Sequence, residues 1–132
     1  MIDHIGFSVR DLARATEFYL KALSPLGIGI ILEVSAEQTG GGAAVGFGAN
    51  GKPFFWIGEG FRSANDQRIH VAFSAGSRAQ VDAFYRAALA AGGKDNGPPG
   101  LRPHYHANYY GAFVIDPDGH NVEAVSHLPE ED

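Results

Sequence analysis

The chain repeats itself, and the repeat constrains its fold more than any local propensity. Displaced by 66 positions, Ile2-Asp3-His4-Ile5-Gly6-Phe7-Ser8 falls on Arg68-Ile69-His70-Val71-Ala72-Phe73-Ser74. Phe18-Tyr19 then falls on Phe84-Tyr85, Ala22-Leu23 on Ala88-Leu89, and Gly27 on Gly93. Two copies of one supersecondary unit must therefore share a core.

Each copy opens with alternating residues, Ile2 to Val9 and Arg68 to Ser74. Ile5, Phe7, Val71 and Phe73 point one way and both histidines the other, which predicts strands with one buried face. Apolar residues at helical spacing follow: Leu12, Ala15, Tyr19, Ala22, Leu23 and Leu26, then Val81, Phe84, Tyr85, Ala88 and Leu89. Asp11 and Ser77 suit N-caps, Ser77 with Gln80 makes a capping-box pattern, and Gly27 and Gly93 suit the stops.

The first copy continues with runs at Ile28 to Val34, Ala43 to Phe47 and Phe54 to Ile57, the last two joined by the hairpin signal Asn50-Gly51. The second ends with a hairpin, Gly111 to Ile115 and Asn121 to Val125, around Asp116-Pro117-Asp118-Gly119. Its middle stretch, Gly92 to Tyr110, is rich in Gly and Pro and predicts only a short second strand. The expected fold is α+β, a single domain over 1–132 made of two βαβββ repeats (about 1–60 and 67–132). Its sheet is curved, mostly antiparallel and cup-like, with the helices outside. The Gly58 to Gln67 connection is long enough for the halves to pair within one chain or exchange between two.

At 132 residues the chain has the size of one domain. Its formal charge is -5 and its ten basic residues are scattered, which argues against a nucleic-acid footprint. With no cysteine, any metal must be held by His, carboxylate or water. Neither a signal-peptide pattern nor a bilayer-length apolar run is present, so no membrane partner and a soluble cytoplasmic location are expected.

A lone strand histidine facing away from a helix is commonly a hydrogen-bonded structural residue. An offset of 68 at the hairpins, from Asn50-Gly51 to Asp118-Gly119, pairs Phe55 with Glu123. A carboxylate among Val122, Ala124 and Val125 must be exposed, hydrogen-bonded or bound to a cation. If the halves form one curved sheet, His4 and His70 face one another and Glu123 closes over them. Two imidazoles and a carboxylate leave positions for water or a bidentate substrate, which suits Fe, Mn, Ni or Zn.

The runs Asp3-His4-Ile5-Gly6-Phe7, Ile69-His70-Val71-Ala72-Phe73 and Phe113-Val114-Ile115-Asp116-Pro117-Asp118-Gly119-His120-Asn121-Val122-Glu123 resemble the vicinal oxygen chelate superfamily. That group includes glyoxalase I, extradiol dioxygenases, fosfomycin-resistance transferases, methylmalonyl-CoA epimerase and bleomycin-binding proteins. The resemblance spans essentially the whole chain and implies that His4, His70 and Glu123 ligate a divalent metal. It also implies a homodimer and a small-molecule substrate.

Between the second helix and the last hairpin runs Arg102-Pro103-His104-Tyr105-His106-Ala107-Asn108-Tyr109-Tyr110, dense in hydrogen-bonding groups. His104, Tyr105 and His106 are the catalytic candidates, and Phe55, Trp56, Arg102, Tyr109 and Tyr110 the substrate-binding ones. A plain surface loop and a core role for the two strand aromatics are the bland alternatives. His120 and His127 read as surface residues.

By resemblance, a glyoxalase-like lyase or isomerase uses a fourth ligand where Phe55 stands. An extradiol dioxygenase fits the ligand set but carries a tyrosine where Phe113 stands. A fosfomycin-type thiol transferase needs a basic clamp, for which Arg102 is the obvious residue. The non-catalytic alternative is an antibiotic-binding protein like the bleomycin binders, which lack the three ligands.

Overall fold

The computed structural model describes residues 1–59 and 68–130. The first repeat comprises β1 (Ile5–Ser8), α1 (Leu12–Leu23), β2 (Gly29–Val34), a short α2 (Ala36–Thr39), β3 (Ala44–Ala49) and β4 (Lys52–Gly58). The second comprises β5 (His70–Ser74), α3 (Arg78–Ala90), β6 (Lys94–Leu101), β7 (Tyr110–Ile115) and β8 (Asn121–Ser126). Each repeat makes its own four-stranded mixed sheet, ordered β1-β4-β3-β2 and β5-β8-β7-β6. The α+β, two-repeat βαβββ architecture is thus present, as a pair of sheets. Most of the Gly58 to Gln67 connection, residues 60–67, lies outside the described residues.

Local chemistry sets the boundaries. Asp11 accepts from the Arg14 amide and Ser77 from the Gln80 amide, capping α1 and α3. The Gln80 side chain reaches one residue further back than a capping box requires, accepting from Gly76 at 2.6 Å. Asn50 and Gly51 both take positive φ (54° and 75°), as their hairpin turn demands. The short α2, which the sequence reading passed over, carries a full capping box between Ser35 and Gln38.

Two expectations are corrected. The Gly92 to Tyr110 stretch contains not a short strand but the eight-residue β6, with register breaks around Gly97. Successive amides point to opposite sides of a strand, so one of the adjacent Pro98 and Pro99 faces the free edge and the other falls in the register break between Gly97 and Gly100, where the ladder to β7 needs no donor. Gly93 is not the left-handed stop of α3; Gly92 is (φ 103°). A Cβ on Gly93 would meet Val114 at 2.4 Å and the Ala88 carbonyl at 2.9 Å, so close helix-sheet packing excludes a side chain there.

The core joins the repeats. Phe55, fully buried, packs edge-on against Phe7, Tyr19 and Phe73 at centroid distances of 5.4, 4.9 and 5.1 Å. Beside it the Tyr19 hydroxyl on α1 donates to Asp116 at the β7-β8 turn, 2.5 Å away and buried. The other Asp116 oxygen accepts from the Asp118 and His120 amides. His120 is not a surface residue: it is only 5% exposed, lies 4.4 Å from the Phe7 ring, and accepts from the Ile69 amide through Nδ1. A turn that clasps the other repeat cannot leave its side chains in solvent.

Candidate functional site

Strand alternation puts Val71, Phe73, Val122 and Ala124 against the core and leaves His70, Ala72 and Glu123 on the opposite face of the second sheet. His70 Nδ1 lies 3.2 Å from the Asn121 carbonyl, to which it can only donate. In the neutral ring that tautomer leaves a lone pair on Nε2, which lies 3.1 Å from Glu123 Oε1. Two lone-pair atoms at this separation need a proton or a cation between them.

Glu123 is 1% exposed. Its second oxygen accepts from the Tyr109 hydroxyl. Burial, followed by the bond to this carboxylate, pushes the Tyr109 phenol well above its ordinary value, so it remains a donor at neutral pH. Phe113 is directly across from Glu123 on β7 and stacks on the His70 ring at 6.3 Å, fixing its plane.

His4 immediately precedes β1, an edge strand of the first sheet. Its Nδ1 bonds Asp3 at 2.7 Å, and Asp3 also pairs with Lys52. The Lys52 contact is the larger cause holding the Asp3 carboxyl below its usual value. His4 and His70 line one cleft of about 500 Å³ between β1 and β5. Among the described residues, however, no group of three His, Cys, Asp or Glu side chains is gathered closely enough to hold a metal ion. The structure thus joins His70 to Glu123 and leaves His4 apart.

The repeat register differs from the one read at the hairpins. Gly6 pairs with Trp56 as Ala72 pairs with Glu123, so Trp56, and not Phe55, is the counterpart of Glu123. Opposite β3, Phe47 pairs with Phe55 but Gly48 with Pro53, which leaves Phe54 as an extra residue that the β7-β8 pair lacks. An offset taken at the turns is therefore one too many beyond the bulge.

The remaining candidates separate. Arg102 donates to the Gly100 and Pro98 carbonyls, both at 2.8 Å, and sits 5.4 Å over the Phe113 ring, shaping β6 behind the site. Tyr110 points the other way, donating to Asp82 under Arg78, and burial with that bond pushes it up to about 12. Exposed Tyr105 lies tilted against His104 (4.1 Å) and edge-on to Tyr109 (5.0 Å), while His106 accepts from the Asn108 amide and lies 5.6 Å from His127. Only Tyr109 of this loop hydrogen-bonds Glu123. Sequence reading missed the Asn121 carbonyl, which carries no side-chain signal; only the parallel β5-β8 register could reveal it.

The family model of the Glyoxalase/Bleomycin resistance protein/Dioxygenase superfamily matches residues 1–124. The chain belongs to that superfamily. A glyoxalase/bleomycin resistance protein from Albidiferax ferrireducens is 29% identical, with TM-score 0.74 over 98% of this chain and 99% of its own. Glyoxalase I from Zea mays shares the fold at 22% identity and TM-score 0.69, over 95% of this chain and 45% of the maize protein. So does a variant of the fosfomycin resistance protein FosX from Listeria monocytogenes, complexed with Mn(II) and 1S,2S-dihydroxypropylphosphonic acid (20%, TM-score 0.64, 95% and 88%). No curated protein matches.

Proposed function

We propose that this superfamily member is a divalent-metal enzyme acting on a small oxygen-bearing substrate by lyase, isomerase or dioxygenase-type chemistry. His70, Glu123 and His4 are its metal ligands. The observation that carries the reading is the His70-Glu123 pair: a buried carboxylate facing an imidazole lone pair is a donor set for a cation. Fe, Mn, Ni or Zn would suit it and would supply Lewis acidity towards substrate oxygens.

The chain's own residues prepare that pair. The Asn121 carbonyl holds His70 in the ligating tautomer, Tyr109 orients Glu123, and Phe113 limits ring rotation. His104, Tyr105 and His106 are the exposed groups beside Tyr109 and stay the candidates for proton transfer.

His4 is apart from the pair within one chain, and a homodimer in which His4 of one copy meets His70 and Glu123 of another accounts for this. Among the described residues no helix is long and apolar enough to cross a membrane, and we take the enzyme to be cytoplasmic.

Metal analysis of protein purified without chelator tests the reading, together with melting curves in Mn, Ni, Fe and Zn. Bound metal and a raised Tm, both lost in Glu123→Gln, are expected. No bound metal and no shift would overturn the enzyme reading and favour a non-catalytic small-molecule binder. Mixing His4→Ala with Glu123→Gln should restore metal binding if the site spans two copies.

A further inference from the structure

The open face of the first sheet carries a tryptophan where the second carries its carboxylate, and its neighbours make room for that ring. Trp56 is paired with Gly6 on one side and Gly46 on the other, so neither adjacent strand presents a side chain at this level. A Cβ on Gly46 would stand 2.9 Å from Cζ2 and Cη2 of Trp56 and 3.0 Å from Pro53 Cβ, so the indole lies directly over the β3 backbone. The half-buried ring lines a cleft of about 720 Å³ with Val34, Ala44, Pro53 and His4. That volume suits a small ligand.

We propose that this cleft seats a planar aromatic group stacked on Trp56. Two features select against an anion: the Lys52 ammonium at the edge is held by Asp3, and the chain carries a formal charge of -5. The remaining lining is largely apolar, and an indole backed by glycine and proline offers a flat, pre-positioned surface whose side chain needs no reordering. His4, a proposed metal ligand, lines this cleft, so substituents of a ring on Trp56 can reach towards the proposed metal site through His4. That last placement rests on the metal reading; the aromatic seat does not.

Trp56 is the chain's single tryptophan, so its indole N–H gives one resonance in a nitrogen-proton correlation spectrum. The test titrates the full chain, with EDTA present, with β-naphthol and with its saturated counterpart decahydro-β-naphthol. A saturable shift of that resonance is expected, with the aromatic probe binding about tenfold more tightly. Followed by ligand-observed NMR, Trp56→Leu should weaken naphthol binding by about tenfold while Trp56→Phe retains most of it.

No saturable shift, or equal affinity for the two probes, overturns the proposal. Should Trp56→Leu fail to fold, the two-probe comparison on the unaltered chain still decides. Repeating the titration with zinc separates the two readings. A seat without a metal site shows the shift and no zinc-induced rise in Tm; a metal site without a seat shows the reverse.

Discussion

Trp56 and Glu123 occupy the same place in the two repeats, one opposite Gly6 and the other opposite Ala72. Duplication placed a side chain beside each first-strand histidine, and the copies now carry different chemistry there. Trp56→Glu should therefore bring a carboxylate beside His4 and tighten zinc binding by about tenfold or more. Calorimetric titration of the two proteins checks this, and unchanged affinity would contradict the register.

The buried Glu123 carboxylate is expected to cost stability when no cation is bound. In Glu123→Gln the amide can donate to His70 Nε2 and accept from Tyr109, so the metal-free variant should melt at or above the parent temperature. Its response to added metal should vanish. Paired melting curves with and without zinc measure both effects.

Removing the Tyr109 hydroxyl leaves one Glu123 oxygen without its donor. Tyr109→Phe should lower metal affinity by about 10- to 100-fold and destabilise the metal-free protein by about 1–3 kcal/mol. Tyr110→Phe, on the opposite face, should leave metal affinity unchanged.

Tyr19→Phe tests the bond between the repeats. Burial raises the Asp116 carboxyl above 3.8, and the Tyr19 hydroxyl is the largest influence pulling it back down. Without the hydroxyl its native value rises further. An acid whose native pKa is raised loses stability as pH rises through that value, so the variant should be weaker than the parent by about 1–3 kcal/mol at neutral pH. The difference should shrink as the pH falls through the raised titration of Asp116. Chemical denaturation across the acid range reads it directly.

The long helices α1 and α3, the hairpins and the outward set of each first strand were legible because they rest on local periodicity and turn chemistry. Glu123 was legible because a carboxylate inside an apolar strand must have a reason. The one-residue error at Phe55 arose because a bulge leaves no mark when two turns are aligned. β6 was hidden since its prolines obey an edge strand's rules, which depend on where the strand lies. The burial of His120 follows from a clasp between distant segments. The separation of His4 from His70 and Glu123 depends on how the two sheets dock, which no spacing in the chain encodes.

The outer rims of the two sheets are β2 and β6. At Pro98 and Pro99 β6 both lacks a donor on its free side and breaks register, and β2 is broken near Ile31 and bears the exposed charge of Glu33. Neither rim offers an uninterrupted template for a foreign strand, so this Gly-rich protein is guarded against fibril growth at the margins where open sheets are most vulnerable.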